Sequence, residues 1–183
     1  MNRMTLVRLV FTVAAVAVAV GPAHGQGGPS VPRREETDPQ WRRVVSREGA
    51  FAIQMPGEPQ ISQKDLRGKT GRMFRYTSYL VDLRTRAYMV SYSDYDRDTV
   101  IDLDEAVHGI IGDSPETRII SRRTVTLFER PGRFLDFIRD GHRMRYRLFA
   151  VGHRLYQIGM VALPAGFEDA EADFYMNSFW LVQ

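Results

Sequence analysis

The sequence predicts an α+β fold, a single domain in which helices pack on an antiparallel β-sheet. Three observations predict it. After Trp41, short runs of β-branched and aromatic residues alternate with turn residues; only two segments have helical spacing; and an Asp-Gly pair at Asp140 joins two of the runs. With 44% hydrophobic residues, the 183-residue chain can form the core that such a domain needs.

Three strands and one helix are predicted in the first half of the domain. Residues 50–55 form a strand bounded by a Pro-Gly turn, and residues 71–83 and 86–95 follow as longer strands rich in tyrosine and valine. A helix follows, with Asp102 and Asp104 at its N-terminal end, where the helix dipole favours acids. The apolar residues of that helix are Leu103, Ala106, Val107, Ile110 and Ile111.

The second half is predicted to be an antiparallel meander. Residues 119–128 lead through a turn at Pro131 into residues 133–139, and Asp140 with Gly141 fits a type I′ hairpin turn. The register across that turn pairs Phe137 with Met144, Asp136 with Arg145, and Leu135 with Tyr146. One face of the hairpin is then apolar and the other is charged.

The chain ends with a further strand and a helix. A second tight turn at Gly152 and His153 leads into a strand over residues 154–163, and an acidic start marks a helix over residues 168–180. Its predicted inward stripe consists of Ala170, Phe174 and Leu181.

The N-terminus reads as a secretory signal peptide over residues 1–25. Arg3 and Arg8 supply its positive region, residues 9–20 are almost entirely apolar, and small residues precede a cleavage site before Gln26. The apolar run is shorter than the roughly 20 residues that span a bilayer. The alternative is an uncleaved N-terminal anchor.

Three regions follow from this pattern: a signal peptide over 1–25, a disordered linker over 26–40, and one α+β domain over 41–183. The whole chain carries a net charge of +3, which becomes +1 when the signal peptide is removed. Such a small charge gives no support for nucleic acid as a partner. The chain has no cysteine, which excludes disulfides and thiol chemistry.

The domain resembles the PsbP-like fold family, which contains the extrinsic protein of photosystem II and many exported bacterial proteins. Three segments carry the resemblance: Phe51-Ala52-Ile53-Gln54-Met55-Pro56 with Pro59; Val90-Ser91-Tyr92-Ser93-Asp94-Tyr95; and the stretch from Arg147 to Gln157 followed by Phe174, Ser178 and Phe179. The resemblance implies a sheet sandwiched by helices (α/β/α) and a non-enzymatic binding or assembly role. It transfers no functional residue.

An acidic segment has the spacing of a calcium loop. Counted from Asp94, acids stand at positions 1, 3, 5 and 12, the last three being Asp96, Asp98 and Glu105. Position 6 is Thr99 where the sharp turn of an EF-hand needs glycine, and the preceding segment is a strand. The alternative is a polar turn in which an aspartate caps the helix.

No other motif predicts chemistry. The histidines that remain after cleavage are His108, His142 and His153, and no two have the spacing of a zinc helix. Each is expected at the solvated surface. The sequence therefore predicts no catalytic, cofactor-binding or metal-binding residue and no cofactor.

An arginine stripe is the most prominent surface feature. Arg143, Arg145 and Arg147 share one face of their strand, and the same face extends to Phe149, Tyr156, Ile158 and Met160. Arginine beside aromatic area is typical of contact surfaces. The favoured alternative is that a helix covers this face and that Asp136 and other acids neutralise the guanidiniums.

These observations predict a secreted or periplasmic protein that binds or assembles with an envelope component, a protein or a glycan. We expect no enzymatic activity, no nucleic acid partner, and no stable membrane insertion after signal cleavage. The alternative function is a calcium-dependent or hydrolytic periplasmic protein whose site is assembled from distant residues.

Overall fold

A seven-stranded antiparallel sheet forms the centre of the structure, a computed structural model that describes residues 40–68 and 71–182. The predicted signal peptide and all of the predicted linker except Gln40 lie outside the described residues. In chain order the elements are β1 (Arg42–Ser46), β2 (Phe51–Met55), β3 (Gln60–Arg67), β4 (Met73–Asp82), β5 (Arg86–Asp94), α1 (Leu103–Ile111), β6 (Arg118–Leu127), β7 (Arg130–Arg139), β8 (His142–Val151), β9 (Arg154–Ala162), α2 (Asp169–Asn177) and β10 (Trp180–Leu181).

The large sheet has the strand order β3-β4-β5-β9-β8-β7-β6, and a small sheet has the order β1-β2-β10. Helix α1 packs on one side of the large sheet, here called the α1 face. The small sheet and α2 pack on the opposite side, the α2 face. Both faces of the large sheet are therefore buried over much of their area, which confirms the predicted α+β sandwich. No helix within residues 40–68 and 71–182 is long and apolar enough to cross a membrane.

Each side of the large sheet has its own apolar core. On the α1 face, Leu135, Phe137 and Tyr146 pack against Val107 and Ile110 of α1. On the α2 face, a larger cluster joins the sheet to the small sheet and α2; it includes Phe51, Tyr88, Tyr92, Tyr156, Tyr175 and Phe179. Alternation along each strand assigns successive residues to the two cores.

The β7–β8 hairpin has the predicted register. Asp140 and Gly141 have φ angles of 51° and 73°, as a type I′ turn requires. The strands pair Phe137 with Met144, Asp136 with Arg145, and Leu135 with Tyr146. The turn therefore sets which side chains of β8 face α1 and which face α2.

The predicted turn at Pro131 was wrong. The β6–β7 turn is formed by Phe128 and Glu129, with φ angles of 48° and 65°, and Pro131 and Gly132 lie inside β7. Gly132 is needed there for close packing, since a Cβ at this position would lie 2.5 Å from the Phe149 ring. The Pro-Gly pair therefore allows a close contact between β7 and β8 and does not form a turn. Strands β1 and β3 were not predicted individually.

The predicted inward stripe of the C-terminal helix was also wrong. Helix α2 ends at Asn177, and its buried residues are Ala172, Tyr175 and Met176. Phe174 is half exposed and contacts Trp41. Leu181 is not on the helix, which stops before Trp180, where the chain pairs with β2. Ala170 and Phe174 are on the helix but lie on its exposed side. Helix α1 has its predicted acidic start: the Asp102 side chain accepts hydrogen bonds from the Asp104 and Glu105 amides.

Candidate contact surface at the arginine face

The arginine stripe lies on the α2 face of the large sheet. Alternation along β8 places Arg143, Arg145 and Arg147 on this side, while Met144 and Tyr146 point to the α1 core. Each arginine has a direct neighbour on β7: Arg143 lies opposite Ile138, Arg145 opposite Asp136, and Arg147 opposite Phe134.

Asp136 is the centre of a buried charge cluster. Its side chain is almost fully buried, with 2% of the residue exposed. Its Oδ2 accepts hydrogen bonds of 2.8 Å from the Nη2 atoms of both Arg143 and Arg145. The hydrogen bond to Asp136 is the main reason that the pKa of Arg143 is raised. One buried carboxylate thus serves two guanidiniums.

Helix α2 covers this cluster and adds two more carboxylates. Asp169 accepts hydrogen bonds from Arg143, at 2.9 Å, and from Arg145. Asp173 accepts a further one from Arg145 at 3.0 Å. Burial opposes ionisation of Asp169, but the hydrogen bonds from both arginines hold its pKa below the usual value. The structure therefore confirms the helix-covered alternative for Arg143 and Arg145.

Arg147 has a different environment, although it lies on the same strand face. Within the described part of the chain, its guanidinium has one hydrogen-bond contact, 3.4 Å from Nη1 to the Met176 carbonyl oxygen. Its Nε atom is buried without a partner. Burial lowers the pKa of Arg147; the charge of Asp173 opposes this, and the neighbouring arginines lower it further. Arg147 thus carries a half-buried charge with no hydrogen-bonded carboxylate in residues 40–68 and 71–182.

A second arginine stands in the same cross-strand row. Arg123 on β6 lies opposite Phe134 on β7, which in turn lies opposite Arg147 on β8. The Arg123 Cζ atom is 4.0 Å from the centre of the Phe134 ring, a cation–π distance. We call Arg123, Phe134 and Arg147 the basic row.

Sequence reasoning missed Arg123. A two-residue turn at Pro131 and Gly132 would have set Arg123 opposite Asp140, far along β7 from the arginine stripe. The observed turn at Phe128 and Glu129 sets it opposite Phe134. The position of Arg123 could have been found by continuing the alternating pattern of β7 back through Pro131 and Gly132, which belong to that strand.

An exposed aromatic pair lies beside the basic row. Phe128, in the β6–β7 turn, and Trp180, in β10, are 47% and 55% exposed, and their rings meet edge to face at 4.4 Å. Two residues along β8 from Arg147, Phe149 stacks on Phe179, the neighbour of Trp180. Two residues correspond to about 7 Å along a strand. The aromatic pair and the basic row are therefore connected through Phe149 and Phe179, which are themselves buried, and the pair and the row are together called the contact surface.

Three of the four acids of the calcium-like segment contact arginines. Asp94 accepts a hydrogen bond from Arg154 Nη2 at 2.8 Å, Asp98 accepts one from Arg72 at 3.1 Å, and Asp96 lies 3.6 Å from the same arginine. Across residues 40–68 and 71–182, no three His, Cys, Asp or Glu side chains are grouped so that they could hold a metal ion.

The three histidines among the described residues are not brought together. His108 lies on α1 with its Nε2 atom 3.4 Å from Asp113, and His142 Nδ1 lies 2.9 Å from the Asp140 carbonyl oxygen. His153 is exposed in the turn between β8 and β9, at the other end of β8 from His142.

Comparison with solved structures identifies the fold. The solution structure of cyanobacterial PsbP from Synechocystis superposes with a TM-score of 0.51 at 12% identity and covers 88% of this chain and 99% of its own. A Pseudomonas aeruginosa protein of unknown function matches with a TM-score of 0.38 at 12% identity, over 68% of this chain and 84% of its own. No family model and no curated protein matches the sequence. At the level of fold, the chain is PsbP-like.

Proposed function

We propose that this protein is a non-enzymatic binding domain of the cell envelope that holds a protein partner on the contact surface. The exposed pair of Phe128 and Trp180 carries the proposal. Large aromatic side chains in adjacent, half-exposed positions are typical of binding hot spots, and arginine is the other residue type enriched there. Here Arg123 and Arg147, which have no hydrogen-bonded carboxylate among the described residues, lie on the α2 face, the side of the large sheet on which the small sheet with Trp180 packs.

The state of the nearby titratable groups supports a non-enzymatic role. Asp136, Asp169 and Asp173 are each hydrogen-bonded to Arg143 or Arg145. These contacts attach α2 to the sheet. Asp169, whose pKa is held below its usual value by hydrogen bonds from Arg143 and Arg145, is a poor general base.

Export rests on the pattern of residues 1–25. The mature chain is expected to begin at Gln26, followed by a linker that would separate the domain from the N-terminus. Intact-mass measurement of protein recovered from the envelope tests this. A mass that includes Met1 would exclude cleavage and favour an uncleaved anchor.

Site-specific photocrosslinking in the native envelope tests the binding function. A photoreactive phenylalanine analogue replaces Trp180 in one variant and Val100, which is 71% exposed in the loop before α1, in the control. We expect one discrete protein adduct from position 180 that is absent from position 100. The Phe128→Ser change in the same chain should remove it.

Two outcomes would contradict the proposal. Equal adducts from positions 180 and 100, or none from either, would mean that the aromatic pair is not a protein-binding surface. An adduct that resists protease but is shortened by glycosidase would replace the protein partner by a glycan.

A further inference from the structure

We propose that the outer edge of β6 binds an extended acidic segment of the protein partner, which adds to the large sheet as a further strand. The inference rests on the proposed function, because β6 ends next to Phe128, one of the two aromatic residues that carry that function. It adds the backbone conformation and the charge that the partner must present beside the aromatic pair.

Strand β6 is an edge strand of the large sheet, with β7 on one side and no strand on the other among the described residues. Proteins commonly close such edges with proline, with very short strands or with bulges. Strand β6 is ten residues long and contains no proline. Its bulge lies between Ile119 and Ser121, so residues 121–127 form a regular edge that is open to a further strand.

The turn that follows β6 determines which of its backbone groups face outward. A two-residue turn joins β6 to β7, so the residues that flank it, Leu127 and Arg130, form a hydrogen-bonded pair. Hydrogen bonds to β7 then recur at every second residue of β6. The alternate residues direct their N–H and C=O groups away from β7, and all three are exposed: Arg122, Thr124 and Thr126.

The charge of β6 favours an acidic segment. Its charged residues are Arg118, Arg122 and Arg123, and it contains no acid. Arg122 forms an ion pair with Asp104 on α1, but neither Arg118 nor Arg123 has a carboxylate partner in residues 40–68 and 71–182. Pairing of two copies through β6 would bring these arginines together, and like charges on neighbouring strands repel each other. Charge therefore favours a segment with aspartate or glutamate over a second copy of this chain.

The α2 side of the edge changes from charged to apolar toward Phe128. Arg123 is followed on this side by Val125 and Leu127, which pack, partly buried, against the α2-face core. An added strand comes closest to these side chains, because they stand at the non-hydrogen-bonded positions of the new pairing. The partner is therefore expected to have an acid beside Arg123 and apolar residues beside Val125 and Leu127. The acid approaches from outside β6 and does not enter the space over Phe134.

The opposite edge of the sheet, β3, provides a matched control. It has charges of both signs, and its acid, Asp65, is hydrogen-bonded to Arg75. It is separated from β6 by six strand spacings, roughly 29 Å, and so lies far from the aromatic pair. The hydrogen bond from Gly68 N to the Arg72 carbonyl oxygen sets the alternation of β3, so the backbone of Gln63 faces outward there.

Amide hydrogen exchange of the exported protein, measured by NMR, tests the edge with a probe peptide. The probe is Val-Thr-Val-Thr-Glu-Thr-Glu, whose order suits antiparallel pairing with β6, and the control peptide has lysine in place of glutamate. At saturating probe, exchange at the amides of Arg122, Thr124 and Thr126 should slow by at least about tenfold. Exchange at Gln63 should not change.

Other outcomes of this experiment would overturn the proposal. No protection at millimolar probe would mean that β6 does not accept a strand, and equal protection by the lysine peptide would remove the requirement for acid. Protection in the protein alone would replace the partner by a second copy if it rises with protein concentration. If such protection does not depend on concentration, a segment of the same chain occupies the edge.

The crosslinking assay then tests whether the partner uses this edge. At limiting partner concentration, Thr124→Pro removes one outward N–H and should lower the adduct from position 180 by about tenfold. Edge strands tolerate proline where the N–H faces solvent, and the matched control Gln63→Pro should leave the yield unchanged. Arg123→Glu should lower the yield at least as much, whereas Arg97→Glu, the same charge change in an exposed loop, should not.

The two proposals fail in different ways. A full adduct from either Thr124→Pro or Arg123→Glu would overturn the addition of an acidic strand and leave the binding function standing. Absence of any adduct from the unaltered chain would overturn the binding function, and the peptide experiment would still decide whether β6 accepts an acidic strand. Arg123 is exposed and has no hydrogen bond to another described residue, so Arg123→Glu keeps the test decisive if Thr124→Pro does not fold.

Discussion

Arg145 and Arg147 are two residues apart on β8 and point to the same face of the sheet, yet only Arg145 lies among carboxylates. Arg145 binds Asp136, Asp169 and Asp173. Arg147 reaches the Met176 carbonyl, near the end of α2, and no carboxylate among the described residues. The difference is the position of each residue under the helix.

The comparison shows that residue type and strand position do not determine the role of an arginine on this face. Asp169 and Asp173 are one helical turn apart, so both point to the same part of the sheet. Past them, α2 presents its C-terminal carbonyl groups. Arg143 and Arg145 lie under the acidic turn and are ion-paired to it, whereas Arg147 lies beyond it and has no hydrogen-bonded carboxylate among the described residues.

The largest expected effect on stability is at Arg145, which lies under α2. Arg145→Met leaves Asp136 buried with fewer donors and should lower the free energy of unfolding by about 3–5 kcal/mol. Urea denaturation of the purified protein measures it. The control is Arg75→Met, which breaks the exposed pair with Asp65 and should lower the free energy of unfolding far less, because water screens that pair. Similar losses in both variants would contradict a structural role for the cluster.

A smaller effect is expected at the rim of the cluster, where the Asp169 side chain is 60% exposed. Its pKa is lower in the folded protein than in the unfolded chain. Its contribution to stability is therefore complete above the unfolded pKa, about 3.9, and is lost as the pH falls through the folded pKa. Asp169→Asn should lower stability at pH 6 by no more than about 1 kcal/mol.

Thermal melts from pH 6 to pH 2.5 check this dependence. The difference in melting temperature between the unaltered protein and Asp169→Asn should narrow below pH 4. The contribution of Asp104 to stability also falls in acid, because hydrogen bonds from Arg133 and Arg122 lower its pKa in the folded protein, but Asp104 is present in both proteins and its contribution cancels in the difference. A gap that widens in acid would contradict the assignment.

The smallest effect on stability is expected at Arg147, which lies beyond the acids of α2. Arg147→Met removes a half-buried charge without a hydrogen-bonded carboxylate and keeps a chain of similar length, so the free energy of unfolding should stay within about 0.5 kcal/mol or rise. The same urea experiment measures it beside Arg145→Met. A loss above about 2 kcal/mol would show that Arg147 contributes to stability much as Arg145 does, which would contradict the contrast between these two arginines.

Local patterns predicted the parts of the fold that depend on neighbouring residues. The Asp140-Gly141 turn and strict alternation predicted the β7–β8 register, and with it the faces of Arg143, Arg145 and Arg147. The Pro-Gly pair at Pro131 led to a wrong turn prediction. Gly132 is required by its contact with the Phe149 ring on another strand, and local turn preferences carry no information about such contacts. The position of Arg123 was missed for that reason.

The sequence by itself determined that the three arginines of β8 share a face, because a strand has a period of two whatever surrounds it. Only the tertiary structure decided which of them are neutralised. Strand β9 separates α2 from β8 in the sequence. Helix α2 packs on β9 and the small sheet, and this packing places its acids beside Arg143 and Arg145. Where the helix ends, at Asn177, is also where neutralisation ends. Ion pairing depends on distances of a few ångströms between residues distant in sequence, which no local period encodes.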